Sequence, residues 1–311
     1  MPSDPTTKVI KPRRRRIVRR LVRVFVFFFL VWFLGSGAAA YCLVHRVHAK
    51  FAEPAPIVSW AKLEEIRLTT DDGVGIGGWL NPAGGHPTIV LFLHGQGESR
   101  RRMLPRMAEL AEHGYASMAI SLRSHGDSDG TSFDFGYRAD RDVIAAVHYL
   151  RQRFPGRPVV VAGNSLGSVS AIFAAAKLDH DVAGYFLESP YRDLLTAVKN
   201  RTEFVPPPFS ESAYAGLRIW GRVLLTEDPS KVRPIDHVAE IPTDIPITFL
   251  AARGDRLCRL FEVEDLDRKV AAHASLIEVE SARHGAISRT DPQIYYPQLL
   301  SLLAKTDGSQ R

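Results

Sequence analysis

Read for the alternation of apolar and polar positions, the chain divides near residue 45. Val24–Val44 holds no Asp, Glu, Lys or Arg over 21 positions and shows no polar face. A bilayer core takes about 20 helical residues, so the pattern predicts a membrane-spanning helix over 21–44. Residues 45–62, with Pro54-Ala-Pro56, break the run and read as a linker. Beyond them, short apolar runs alternate with amphipathic stretches. Lys62–Thr69 and Gly75–Leu80 flank Thr-Asp-Asp-Gly, which is hairpin chemistry. Thr88–Leu93, Ala116–Leu122, Val159–Ala162, Val182–Leu187, Ile245–Ala251 and Ser275–Val279 read as buried strands. Met103–His113, Asp140–Phe154, the small-residue stretch after Gly167, Asp265–His273 and Ile294–Ala304 read as helices.

That alternation argues for right-handed βαβ crossovers and a mostly parallel sheet, opened by an antiparallel hairpin. The predicted class is α/β, with helices on both faces of the sheet. One segment departs from the rhythm. Residues 191–243 contain Val205-Pro-Pro-Pro-Phe209 and a helical stretch, Tyr214–Leu225, but no convincing strand. An insertion of that length is usually functional rather than a bare loop. Within it, Leu217, Trp220 and Leu224 fall at i, i+3 and i+7, so one helix face either lines an apolar groove or packs on the insertion's own core. Residues 304–311 read as a polar tail.

Charge changes the picture at one end only. Of the net +6, residues 1–23 contribute +8 from nine basic side chains and one acid, which leaves −2 on the remainder. The globular part therefore has no basic face for nucleic acid. Residues 1–20 read as a basic, irregular cytosolic tail. The Arg13–Arg16 run directly abuts the apolar segment, which suits anionic lipid headgroups. Only Arg46 and Lys50 follow that segment closely, so the positive-inside rule predicts a single-pass protein with a cytosolic N-terminus and an extracytosolic domain. A cleaved signal peptide is the rival, because Ala38-Ala39-Ala40 offers a cleavage site and tandem arginines precede the run. The apolar run continuing through Tyr41 to Val44 favours an uncleaved anchor. Two cysteines, Cys42 and Cys258, are too few for a disulfide framework.

The chemistry concentrates around Val159–Gly167. A buried strand turns at once through Gly163-Asn-Ser165-Leu-Gly167 into a small-residue helix. This is the G-x-S-x-G nucleophile elbow in its required strand–turn–helix context. A serine alcohol is a poor nucleophile at neutral pH and needs a base, usually a histidine held by a carboxylate. Asp255 closes Phe249-Leu-Ala-Ala-Arg-Gly-Asp255, directly beyond the strand Ile245–Ala251, and His284 stands in Ser281-Ala-Arg-His-Gly285 before the last helix. Both sit at strand carboxyl ends, where open α/β sheets build their sites. Glu188 also ends a strand and rivals Asp255 as the acid. An oxyanion hole needs two N–H groups; Leu166, just after the serine, and Gln96, in His94-Gly-Gln-Gly97, are the candidates.

Leu-Phe-Leu-His-Gly-Gln-Gly, Ser-Leu-Arg-Ser-His-Gly-Asp-Ser, Gly-Asn-Ser-Leu-Gly and Arg-His-Gly together resemble the serine α/β-hydrolase superfamily, in its lysophospholipase-like and serine-aminopeptidase-like branch. The resemblance covers residues 63–303. It implies the α/β-hydrolase fold, a Ser165–His284–Asp255 triad, an oxyanion hole at Gln96 and Leu166, and a lid over 191–243. Two positions depart from the branch: Ser124 stands where Arg-Gly-His-Gly is common, and Ser168 where a second glycine follows the elbow. The expected activity is hydrolysis of a carboxylic ester or thioester through an acyl-enzyme, with hydrophobic or lipid-like substrates. No metal or organic cofactor and no nucleic-acid partner are implied. An acyltransferase or peptidase would share these motifs, and a non-catalytic docking protein would share the fold.

Overall fold

The long apolar run forms a single helix, α1 (Arg13–Val44), of which Arg15–Val44 is long and apolar enough to cross a membrane. The computed structural model describes residues 13–45 and 50–308. The first twelve residues of the basic tail, 46–49 of the linker and 309–311 of the polar tail lie outside the described residues. Arginine is a good helix former, and α1 accordingly begins at Arg13, inside the stretch expected to be irregular.

The domain that follows is built on eight strands. They are β1 (Glu64–Thr69), β2 (Gly75–Asn81), β3 (Ile89–Leu93), β4 (Ala116–Ile120), β5 (Val159–Asn164), β6 (Gly184–Glu188), β7 (Ile247–Ala252) and β8 (Ala274–Val279). Their order across one sheet is β1-β2-β4-β3-β5-β6-β7-β8. β2 pairs antiparallel with β1 and β4, and every other pairing is parallel. This is the α/β-hydrolase fold. Because side chains alternate across a strand, Ile89, Leu91 and Leu93 enter one core, while Val90 and Phe92 enter the core on the other face. Both faces are covered, which is why these strands read as unbroken apolar runs.

The helices are α2 (Leu104–Glu112), α3 (Asp140–Arg153), α4 (Leu166–Leu178), α5 (Leu194–Thr202), α6 (Phe209–Leu224), α7 (Pro234–His237), α8 (Leu260–Lys269), α9 (Ile287–Thr290) and α10 (Pro292–Gly308). The α8 helix starts earlier than its periodicity suggests because Glu262 accepts the Arg259 N–H at 3.0 Å, a cap that fixes the first turn. The expected polar tail is helical to Gly308. Its Asp307 carboxylate accepts from the Thr88 hydroxyl at 2.6 Å and the Tyr115 hydroxyl at 3.1 Å, tying the end to the sheet.

Residues 50–63 are fastened to the domain. Glu53 is buried, and its carboxylate takes the Ser121 hydroxyl at 2.6 Å and lies 3.2 Å from the Arg100 guanidinium. Its carbonyl accepts the Trp79 indole N–H at 3.1 Å.

Candidate active site

Ser165 occupies the single residue between β5 and α4, at φ 50° and ψ −109°. A non-glycine residue held there costs roughly 1–3 kcal/mol and needs surroundings that enforce it. Glycines supply the room. A Cβ on Gly163 would come within 2.5 Å of the Ser168 backbone N, and one on Gly167 within 2.5 Å of the Leu93 carbonyl oxygen. The Ser165 N–H then donates to the Glu188 carbonyl at 2.8 Å, binding the turn to the neighbouring strand. Ser168, one of the two departures, donates its hydroxyl to that same carbonyl at 2.9 Å.

The loop after β8 brings His284 to this turn. Its Nε2 lies 2.9 Å from Ser165 Oγ, and its Nδ1 lies 2.7 Å from Asp255 Oδ2. A carboxylate only accepts, so in the neutral ring Nδ1 carries the proton and Nε2 is left to accept the serine hydroxyl. Asp255 is held from behind: its Oδ1 accepts the N–H groups of Leu257 at 2.8 Å and Cys258 at 2.9 Å. Burial disfavours a charged His284 ring, but hydrogen bonding to Asp255 and to the Cys258 thiol outweighs it and raises the pKa from 6.5 to about 10.

Glu188, the rival acid, is otherwise engaged. One oxygen accepts from Arg106 at 2.9 Å and the other from the Ile287 N–H at 3.0 Å. Arg106 also donates to the Tyr295 hydroxyl at 2.9 Å. This fully buried group braces the end of β6 against the start of α9, three residues past His284. Nothing in the spacing of Arg106 marks it in the sequence.

The loop after β3 flanks the serine. A Cβ on Gly95 would sit 3.7 Å from Ser165 Cβ, and Gln96 and Leu166 both face the cavity that Ser165 opens into. Two histidines shape this loop. His94 Nε2 accepts the Leu122 N–H at 2.9 Å and His125 Nε2 accepts the Gly97 N–H at 3.2 Å. Each Nδ1 must then donate, to the Gly95 carbonyl at 2.8 Å and the Arg123 carbonyl at 2.9 Å. Complete burial keeps the His94 pKa well below 6.5, consistent with that neutral tautomer. Ser124, the other departure, stands at φ 65°, a conformation glycine takes more readily, and is held by its N–H to the Asp129 carbonyl and its hydroxyl to that of Ser132, both at 2.8 Å.

A cavity of about 370 Å³ opens from Ser165 beneath the insertion, a size typical of ligand sites. Its walls are largely apolar, including Leu194, Leu195 and Val198 of α5 and Leu217 of α6. The expected stripe on α6 divides. Leu217 faces the cavity, whereas Trp220 turns to α1, its ring centroid 4.7 Å from that of Phe33. Sequence reasoning missed that Ala40, Leu43 and Val44 of α1 also line the cavity.

The sequence profile of the family described as Serine aminopeptidase, S33, matches residues 85–240, half of the chain. The chain is 29% identical over 138 residues to a polyketide transferase of Stachybotrys chlorohalonatus, across 42% of this chain and 46% of that protein. It is 31% identical over 115 residues to the monoglyceride lipase of Homo sapiens, across 36% of this chain and 38% of that protein. The matches thus span less than half the length of either relative. The esterase Pf2001 of Pyrococcus furiosus shares the fold, with a TM-score of 0.68 at 20% identity, covering 84% of this chain and 100% of that one.

The engagement of Glu188 yields a stability prediction. Glu188→Gln leaves Arg106 buried without its countercharge and should lower the unfolding free energy in urea by about 3–5 kcal/mol. An unchanged midpoint would show that the pair is not a brace.

Proposed function

The chain belongs to the serine aminopeptidase S33 family of α/β-hydrolases, and we propose that it acts as a membrane-anchored serine hydrolase on carboxylic esters or thioesters with apolar acyl groups. The carrying observation is the relay from Ser165 to His284 to Asp255, at 2.9 and 2.7 Å, whose serine lines a largely apolar cavity. His284 Nε2 takes the proton as Ser165 Oγ attacks the carbonyl carbon. The N–H groups of Gln96 and Leu166 stabilise the developing oxyanion. His284 returns the proton to the leaving alcohol or thiol, giving an acyl-serine. Water, deprotonated by the same imidazole, then releases the acid. Asp255 keeps Nδ1 protonated and stabilises the imidazolium.

The names of the two relatives, a monoglyceride lipase and a polyketide transferase, both fit an apolar acyl group. The second also supports a transferase reading, in which an alcohol or amine replaces water. Mass analysis of products formed with and without added acceptor alcohols separates the two.

Ser165→Ala should abolish labelling by a fluorophosphonate probe while the thermal unfolding transition persists. Asp255→Asn should lower kcat by roughly 10⁴ through the wrong imidazole tautomer. Labelling that survives in folded Ser165→Ala protein refutes the assignment.

The raised His284 pKa fixes the sign of the pH dependence. Only the neutral ring accepts a proton, so kcat/KM should climb with pH along a limb whose apparent pKa lies above 6.5. In Asp255→Asn the anion favouring the charged ring is gone, and the limb of the residual activity should move to lower pH. A limb that stays in place would remove Asp255 from this role.

The charge imbalance around α1 supports a cytosolic N-terminus and an extracytosolic domain. Alkaline phosphatase fused after Arg311 in a bacterial host should be active, and a green fluorescent protein fusion at the same point dark. The opposite pair of results reverses the topology.

A further inference from the structure

The outer half of α1 is docked along α6, and one face of it does the docking. Trp32, Phe33, Ser36, Gly37, Ala40 and Val44 recur at helical spacing and are the shielded positions of that half, whereas described side chains up to Val31 are exposed. The seam is close because small residues line it. A Cβ on Gly216 would lie 2.5 Å from Ser36 Cβ, and one on Gly37 would lie 2.7 Å from the Trp220 indole. Hydrogen bonds cross the seam in both directions: the Trp32 indole donates to the Ser212 carbonyl at 3.1 Å, and the Trp220 indole to the Phe33 carbonyl at 2.9 Å. The end of α1 is pinned as well, with the Phe133 N–H on the Val44 carbonyl at 2.5 Å. Beyond the seam, Ala40 and Val44, 3% and 4% exposed, form the wall of the Ser165 cavity.

We propose that α1 is part of the substrate site as well as an anchor: its outer half walls the acyl cavity, and the substrate is an amphipathic ester whose chain enters from the adjoining leaflet and lies against Ala40 and Val44. This rests on the reading of Ser165 as nucleophile and of α1 as membrane-spanning. Trp32 to Val44 covers roughly 18 Å of helix axis, about the depth of one leaflet, so the cavity mouth and the lipid chains share a level. Exposed Phe204, Phe209, Ile219 and Val223 on the insertion, beside exposed charged Glu211, Arg218 and Arg222, give that rim the mixed apolar and charged character of a bilayer interface. A cut after Ala40 would remove most of the seam and part of the cavity wall, so this role requires the helix to be retained.

The test is Ala40→Phe in the full chain, purified in detergent, with Ala39→Phe on the exposed face of α1 as control. A phenyl ring at residue 40 occupies cavity space, and each displaced methylene should cost roughly fourfold in transition-state binding. The ratio of kcat/KM for p-nitrophenyl decanoate over acetate should therefore fall by about tenfold or more in Ala40→Phe and stay unchanged in Ala39→Phe. Binding of the fluorescent fatty acid cis-parinaric acid should weaken in step. Should Ala40→Phe fail to take the fluorophosphonate label, Ala40→Val carries the same comparison with a smaller expected change. An unaltered ratio and unaltered cis-parinaric acid affinity in a folded variant would overturn the proposal. If the wild-type protein neither hydrolyses esters nor takes the label, the nucleophile reading fails, and the cis-parinaric acid comparison alone decides whether α1 walls the cavity.

Discussion

A serine at φ 50° is an unfavourable object, and most of the surrounding structure exists to keep it there. The hydrogen bond from its N–H to the Glu188 carbonyl is the constraint on which the rest depends. It requires β5 and β6 to end in register, which the parallel pairing of Asn164 with Glu188 provides. It also requires α4 to begin immediately, which two glycines permit by close contact with neighbouring backbone. Strain of roughly 1–3 kcal/mol is then a small fraction of what two covered sheet faces contribute.

Glu188 joins this constraint to the rest of the site. Its main chain holds the serine turn, while its side chain, paired with Arg106, holds the segment just past His284. One residue thus sets the relative position of Ser165 and His284, which lie within hydrogen-bond reach of each other. The Asp255 loop is organised separately, by two N–H groups folding back onto one carboxylate oxygen. The relay is assembled from two independently fixed loops, and its short distances report how well their scaffolds agree.

Much of this was legible in the sequence because the relevant signals are local. Continuous apolar runs marked β3 and β5, since a strand covered on both faces has no polar positions to interrupt it. The elbow announced itself by glycine spacing, and Asp255 and His284 by their places after strands. What was not legible depends on partners distant in the chain. Arg106 reads as one more arginine on a helix until Glu188 and Tyr295 surround it. The helical end at Gly308 rests on Asp307 meeting Thr88 and Tyr115. Trp220 sits at the spacing of a groove-lining stripe, yet it faces Phe33, nearly two hundred positions earlier. Helical periodicity gives the face of a residue and says nothing about which neighbour that face will meet.

The buried Glu53 is the feature with the widest consequence. It fastens the strap after α1 to Arg100, Ser121 and Trp79, and the seam between α1 and α6 is a second, separate place where the N-terminal part of the chain meets the domain. On the proposed reading of α1 as a membrane span, such a body would lose most of its rotational freedom, and Ser165 would stay at one height and one tilt. Its encounters with lipid would then be collisions in a plane. Were the substrate a lipid-like ester, as proposed, its mole fraction among the surrounding lipids would set the rate, and diluting the surface with inert lipid would slow the enzyme even at constant total substrate.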